Sequence, residues 1–153
     1  MIFENYIILK NYNKIYNILK KNFIGKLVKK GNKVHAIKLF NLLKYWLKKK
    51  TKRDSNLLML IGIFNILRKV HFVKVRFGGV KKEIPVPLKF ERQVKFAIND
   101  LLNYIKKNNK INLKRLANLI CYCYKIKGPI FKKNYILQKK AIDNRVLISF
   151  IKR

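Results

Sequence analysis

Twenty residues, Val73 to Arg92 (VKVRFGGVKKEIPVPLKFER), constrain this chain's fold more than any other stretch. Val73, Val75 and Phe77 alternate with Lys74 and Arg76, the two-residue period of a strand. Gly78 and Gly79 follow, and a glycine pair supplies the positive φ of a tight hairpin turn. Ile84, Val86 and Leu88 then alternate with Pro85 and Pro87. Proline cannot donate to a sheet ladder, so two in one strand normally argue against a strand. Here they stand two apart, and both missing N–H groups face the same side. In a two-stranded ribbon that side can be the unpaired one, which leaves Ile84, Val86 and Leu88 to pair. The sequence therefore predicts a β-hairpin over about 72–88. A lone ribbon is only marginally stable in water. A basic one projecting from a larger body is suited to insertion into something anionic.

The rest of the chain reads as helix. Ile8, Tyr12, Ile15 and Leu19 fall on one helical face, and Phe23, Leu27 and Val28 continue it toward a stop at Gly31. Residues 1–20 read as a basic arm or a helix. Ala36, Leu39, Phe40, Leu43, Trp46 and Leu47 form a wide apolar stripe. Asp54 or Ser55 can cap a following helix whose core face reads as Leu57, Leu60, Ile61, Phe64 and Leu67. After the hairpin, Phe90, Val94, Ala97, Ile98, Leu101, Leu102 and Ile105 give the clearest helical pattern. Asn112 caps the next, with Leu113, Leu116, Ala117, Ile120 and Tyr124 inward and Gly128-Pro129 as its stop. A last helix is expected over Tyr135 to Phe150, carrying Ile136, Lys139, Lys140 and Arg145. The expected fold is mainly α: one domain over 1–153, a bundle of about six helices with a protruding two-stranded β-hairpin.

Charge narrows the partner. The chain carries 38 Lys and Arg against 6 Asp and Glu, a formal net charge of +32, yet half of it is hydrophobic. It can bury a core and is not a disordered basic tail. Self-repulsion at this charge opposes compaction unless a counter-charge is supplied. RNA or DNA is the natural supplier, and an anionic membrane surface is the rival. The longest apolar run, Leu57 to Leu67, is interrupted by Gly62 and Asn65 and falls short of the roughly 18 residues a spanning helix needs.

Catalytic and metal chemistry find little support. There is no GxGxxG fingerprint, P-loop or Cys/His cluster. Cys121 and Cys123 stand two apart, on different faces of a helix, and read as small apolar residues in a reducing compartment. His35 and His71 are isolated and read as packing or phosphate-contact residues. Glu4, Asp54, Glu83, Glu91, Asp100 and Asp143 form no pair suited to acid–base work. The chain is expected to be no enzyme and to need neither cofactor nor metal.

Three stretches carry a family likeness: Phe23–Phe40 (FIGKLVKKGNKVHAIKLF), Val75–Ile98 (VRFGGVKKEIPVPLKFERQVKFAI) and Leu116–Lys133 (LANLICYCYKIKGPIFKK). Together they resemble the small ribosomal subunit protein 7 family of bacterial ribosomes. The likeness runs through its first two helices with their Gly-x-Lys turn, its arginine-glycine-glycine hairpin and its leucine-alanine-asparagine helix. The chain departs from that family at Val80, Lys81 and Lys82 after the glycines, at Pro87, and at Phe90 where a proline is usual.

The resemblance implies a structural protein of the small-subunit head. It would bind the 3′ major domain of small-subunit rRNA and help it assemble. Its hairpin would lie near messenger RNA and exit-site tRNA, beside neighbouring head and platform ribosomal proteins and away from membranes. Three groups of residues are the candidate RNA contacts. Lys26, Lys29, Lys30 and Lys33 surround the Gly31 turn. Lys74, Arg76, Gly78, Gly79, Lys81, Lys82, Lys89, Arg92 and Lys95 lie on the hairpin and the helix it enters. Lys114, Arg115, Lys127, Lys132, Lys133, Lys139 and Lys140 are C-terminal. Arg76 and Arg92 match family arginines, and Arg suits phosphate by geometry. Phe77 at the tip packs within the ribbon or stacks on a base.

The alternative is a general nucleic-acid binder or RNA chaperone outside the ribosome. It shares the charge but has no need of the hairpin at this place in the helix order. Heavy use of Lys, Asn, Ile, Tyr and Phe follows AT-rich codons, as in an organelle or a reduced endosymbiont. Met1 to Lys14 lacks a transit-peptide pattern. The expected location is a mitochondrial ribosome served by an organelle gene, with plastid or endosymbiont as alternatives.

Overall fold

The computed structural model describes residues 12–77, 79–106 and 112–146. Among these, six helices and one antiparallel ribbon follow in the order α1 (Tyr12–Leu27), α2 (Lys33–Thr51), α3 (Ser55–Phe64), β1 (Val70–Phe77), β2 (Val80–Pro87), α4 (Phe90–Ile105), α5 (Leu113–Tyr124) and α6 (Pro129–Asp143). The mainly helical fold with a single hairpin is the one the sequence pattern predicts. No described helix is long and apolar enough to cross a membrane.

Local signals set the helix ends. After α1 the chain reverses through Lys30 and Gly31, both left-handed at φ 50° and 76°. Helix α1 thus ends at Leu27, short of the stop expected at Gly31, and Gly31 instead takes part in the turn, where glycine carries no Cβ penalty. Asn32 then caps α2, its side chain accepting from the His35 N–H at 2.9 Å. Asp54 caps α3 by accepting from the Asn56 N–H, and Asn112 caps α5 by accepting from the Arg115 N–H.

The core lies among α1 to α5. Phe23 of α1 packs against Phe40 of α2, their ring centroids 5.7 Å apart and tilted by 58°. Leu27, Leu43, Leu47, Met59, Ile63, Ile98, Leu101, Leu116 and Ile120 are fully buried around them. Burying one such side chain is worth about 1.5–3 kcal/mol, so these layers hold the body together against its own charge. Helices α3 and α5 approach closely at Gly62, where an added Cβ would lie 3.1 Å from the Ile120 carbonyl oxygen.

Two expectations are corrected. The core face of α3 is not the one expected: Leu57 is 38% exposed, while Leu58, Met59 and Ile63 join Leu60 in the interior. The stretch LLMLIGIF is apolar at nearly every position, so its periodicity carries no phase. The helix also stops at Phe64, and Ile66 and Leu67 follow in a tighter turn, donating to the carbonyls of Ile63 and Phe64. The last helix begins at Pro129 rather than Tyr135, because a proline in the first turn starts a helix as readily as it ends the preceding one. Ile136 is exposed on it, and Phe150 lies outside the described residues.

Candidate nucleic-acid interface

The ribbon pairs residue for residue, from Val70 with Pro87 to Phe77 with Val80. The Leu88 N–H donates to the Lys69 carbonyl at 3.0 Å, which fixes the alternation of the ladder. Ile84 and Val86 then occupy hydrogen-bonded positions, and Pro85 and Pro87 occupy non-hydrogen-bonded ones. The two missing donors therefore lie on the open edge, as the spacing predicts. Gly79 turns the chain at φ 84°. Gly78 and the Phe77 side chain lie outside the described residues.

Both faces of the ribbon's base are gripped by helices. On one face, His71 stacks on Phe96 of α4 at 5.3 Å, and Ile84 is fully buried. On the other, Lys140 of α6 donates to Glu83 at 2.5 Å and lies 5.3 Å over the Phe72 ring. The Asn144 amide also donates to the Glu83 carbonyl at 3.4 Å. Lys74 reaches the same carboxylate at 3.9 Å. The hydrogen bond and charge of Lys140, aided by Lys74, hold Glu83 below the usual carboxylate range.

Beyond Glu83 the ribbon carries cations that have no carboxylate partner among the described residues. Arg76 faces Lys81 directly across the strands at a non-hydrogen-bonded position, where side chains are closest. Like charges placed there destabilise a ribbon unless an anion sits between them. Lys82 and the backbone at Gly79 are exposed beside them.

The other predicted contacts fall into two kinds. Lys26, Lys29, Lys30 and Lys33 are exposed around the α1–α2 turn, and Lys20 and Lys21 line the same depression as Lys26 and Lys33. Lys89, Arg92 and Lys95 are exposed where the ribbon enters α4, and Lys127, Lys132 and Lys139 are exposed on or just before α6. Lys133, by contrast, reaches Asp100 at 3.3 Å, a carboxylate also held by Arg68. Lys74, Lys133 and Lys140 thus each reach a carboxylate of the protein itself, with their side chains still 50–71% exposed.

The predicted contacts Lys114 and Arg115 lie in a third region, whose aromatic setting the sequence did not reveal. Lys114 and Arg115 stand exposed on α5, Lys114 with its ammonium 4.7 Å over the Trp46 ring of α2. Lys49 covers the same ring at 5.5 Å. Lys50 donates to the Asn118 carbonyl oxygen and lies 6.0 Å over Tyr122. Trp46 reads in sequence as one more residue of an apolar stripe, and its half-exposed, cation-flanked ring appears only when α2 and α5 are brought together. Cys121 and Cys123 are buried, and burial together with Cys121 pushes the Cys123 thiol up to about 11. Such thiols stay protonated and unreactive.

Residues 3–145 match the family described as Ribosomal protein S7p/S5e. Similar proteins include small ribosomal subunit protein uS7 of Oleidesulfovibrio alaskensis, 26% identical over 138 residues, or 89% of this chain and 88% of that one. The protein uS7c of Bigelowiella natans is 28% identical over 137 residues, or 88% and 86%. The protein uS7m of Gallus gallus is 30% identical over 94 residues, 60% of this chain and 36% of the longer chicken protein.

Proposed function

The chain belongs to the Ribosomal protein S7p/S5e family, and on that premise we propose that it binds the 3′ major domain of small-subunit rRNA as a structural constituent of the small ribosomal subunit. In this reading the helical body clamps a multi-helix RNA junction and helps it assemble. The ribbon tip reaches toward messenger RNA and exit-site tRNA. Neighbouring head and platform proteins complete the surroundings.

The observation that carries the reading is the Arg76–Lys81 pair. Two like charges face each other at the end of a ribbon whose one carboxylate, Glu83, is already shared by Lys140 and Lys74. Such a tip is stabilised by a phosphate placed between the two cations. Phosphate contacts of this kind fix position and supply affinity without reading sequence. Preference for one RNA then comes from shape, because the A-form major groove is too narrow for side chains. The similar proteins uS7m and uS7c fit an organellar ribosome, as does the Lys- and Asn-rich composition, and we assign the chain to the mitochondrion.

A salt titration tests this. Binding to a 3′-domain rRNA fragment should weaken steeply with salt and survive competition from scrambled RNA of equal length. Equal affinity for both RNAs would leave a general nucleic-acid binder. Fractionation of organelles should find the chain sedimenting with the mitochondrial small subunit; sedimentation with plastid ribosomes would move the assignment.

A further inference from the structure

The outer face of α5 combines exposed aromatic rings with cations. Lys114, Arg115, Asn118 and Tyr122 stand at i, i+1, i+4 and i+8 and share that face. Tyr122 is 53% exposed, and Tyr104, from the end of α4, is 51% exposed. The two tyrosines wall a notch of about 330 Å3 whose floor is Ile105 and Leu119 and whose rim carries Arg115 and Asn118. Asn118 also lines the adjoining depression with Trp46, Lys49, Lys50 and Lys114, so the two form one track across α5 toward α2. Among the described residues, Lys49, Lys50, Lys114 and Arg115 have no carboxylate partner. Asp100, in the depression on the far side of Tyr104, is already held by Arg68 and Lys133.

We propose that this face holds a single-stranded RNA segment, with one unstacked base in the Tyr104–Tyr122 notch and its flanking phosphates on Arg115, Lys114 and Lys50. The proposal rests on the RNA-binding reading above and adds a second mode of contact to it. Aromatic faces beside cations are how proteins hold unpaired nucleotides, since every base has a π-face and every linkage a charge. A paired helix offers no free base face to such a notch. A protein partner is the poorer fit, because interface cores are depleted in lysine. The Asn118 amide and Arg115 guanidinium on the rim can hydrogen-bond to a base edge. Lys50 is already turned inward by its bond to Asn118, which brings its charge to the middle of the track.

The test uses the full chain and two RNA probes: a fluorescent unstructured dodecamer and the 3′-domain rRNA fragment. Tyr104→Ala with Tyr122→Ala should weaken dodecamer binding about tenfold or more with an unchanged salt slope. Tyr104→Phe with Tyr122→Phe should restore it, because stacking needs the ring and not the hydroxyl. Arg115→Ala should weaken it and also flatten the salt slope. Thermal melts check that each variant folds, and the phenylalanine pair keeps the test decisive if the alanine pair does not. Undiminished dodecamer binding by the folded alanine pair would overturn the proposal, as would wild-type failure to bind the dodecamer at all or failure of the phenylalanine pair to bind it. Binding of the rRNA fragment in those same assays would show that the broader RNA reading stands while the notch does not.

Discussion

In the body, α1 to α5 each bury several side chains in one apolar cluster; in the ribbon, Ile84 and Pro85 are the buried residues among the described side chains of both strands. The body is held by burial, which does not depend on salt or on a partner. The ribbon's base is held largely by polar clasps, the Glu83–Lys140 pair and the Asn144 amide, together with ring contacts at His71 and Phe72. In its outer half, the described side chains of Val73, Lys74, Arg76, Val80, Lys81 and Lys82 are exposed. One region can be altered for stability and the other for binding with little crossover, and mutations can test how far that separation holds.

The largest stability effect is expected from Leu101→Asp. Leu101 is fully buried in α4, and an unpaired carboxylate there should cost roughly 4 kcal/mol or more, enough to abolish the cooperative melt of a marginally stable domain. A melt at the wild-type temperature would break the claim that the body stands on burial. Next comes Asn134→Ala. Asn134 is buried on α6, donates to the Ile66 carbonyl at 2.6 Å and accepts from Arg68 at 3.1 Å. Losing both bonds should cost about 1–3 kcal/mol, seen as a Tm lower by about 3–10 °C. No change would mean that α6 is not tied to the body through that residue.

Glu83→Gln should matter less, and in a pH-dependent way. The Glu83 pKa is lower in the folded chain than its ordinary value of 4.5. Its contribution is therefore complete above that value and lost as pH falls from about 4.5 through the folded value. Melts of wild type and Glu83→Gln should differ slightly at pH 7 and converge in acid. A gap that widens in acid would show that Lys140 holds the ribbon by other means. The smallest stability effect is expected from Arg76→Ala with Lys81→Ala. Removing two facing cations should leave the Tm unchanged or slightly higher. The same variant should lower rRNA affinity and flatten the salt slope by up to about two. In ribosomes it should impair exit-site function more than assembly, and failure to assemble would join the two regions that the comparison separates.

The hairpin was legible because its signals reinforce one another: strand alternation, a glycine pair, and prolines spaced to leave the ladder intact. Helices α4 and α5 were legible for a similar reason, since their apolar residues interleave with polar ones and Asn112 marks a start. Helix α3 could be recognised but not oriented, because a uniformly apolar helix shows no face. The start of α6 was hidden by the double meaning of Pro129. In the candidate site, residue type alone could not sort the cations. Lys133 and Lys140 look like Lys132 and Lys139 in sequence, and they differ because Asp100 and Glu83, some 33 and 57 residues away, fold against them. On the α5 face the cations Lys114 and Arg115 were legible but their aromatic setting was not, because Trp46, Tyr104 and Tyr122 come from three helices.

The two prolines of β2 bear on more than pairing. An exposed ribbon edge is a template on which another chain can add a strand. On the open edge of β2 the N–H groups that would donate to such a chain are missing at Pro85 and Pro87. A second copy finds carbonyls there with no neighbouring donors to complete a ladder. The composition that makes β2 look unlike a strand also closes its edge to a further strand.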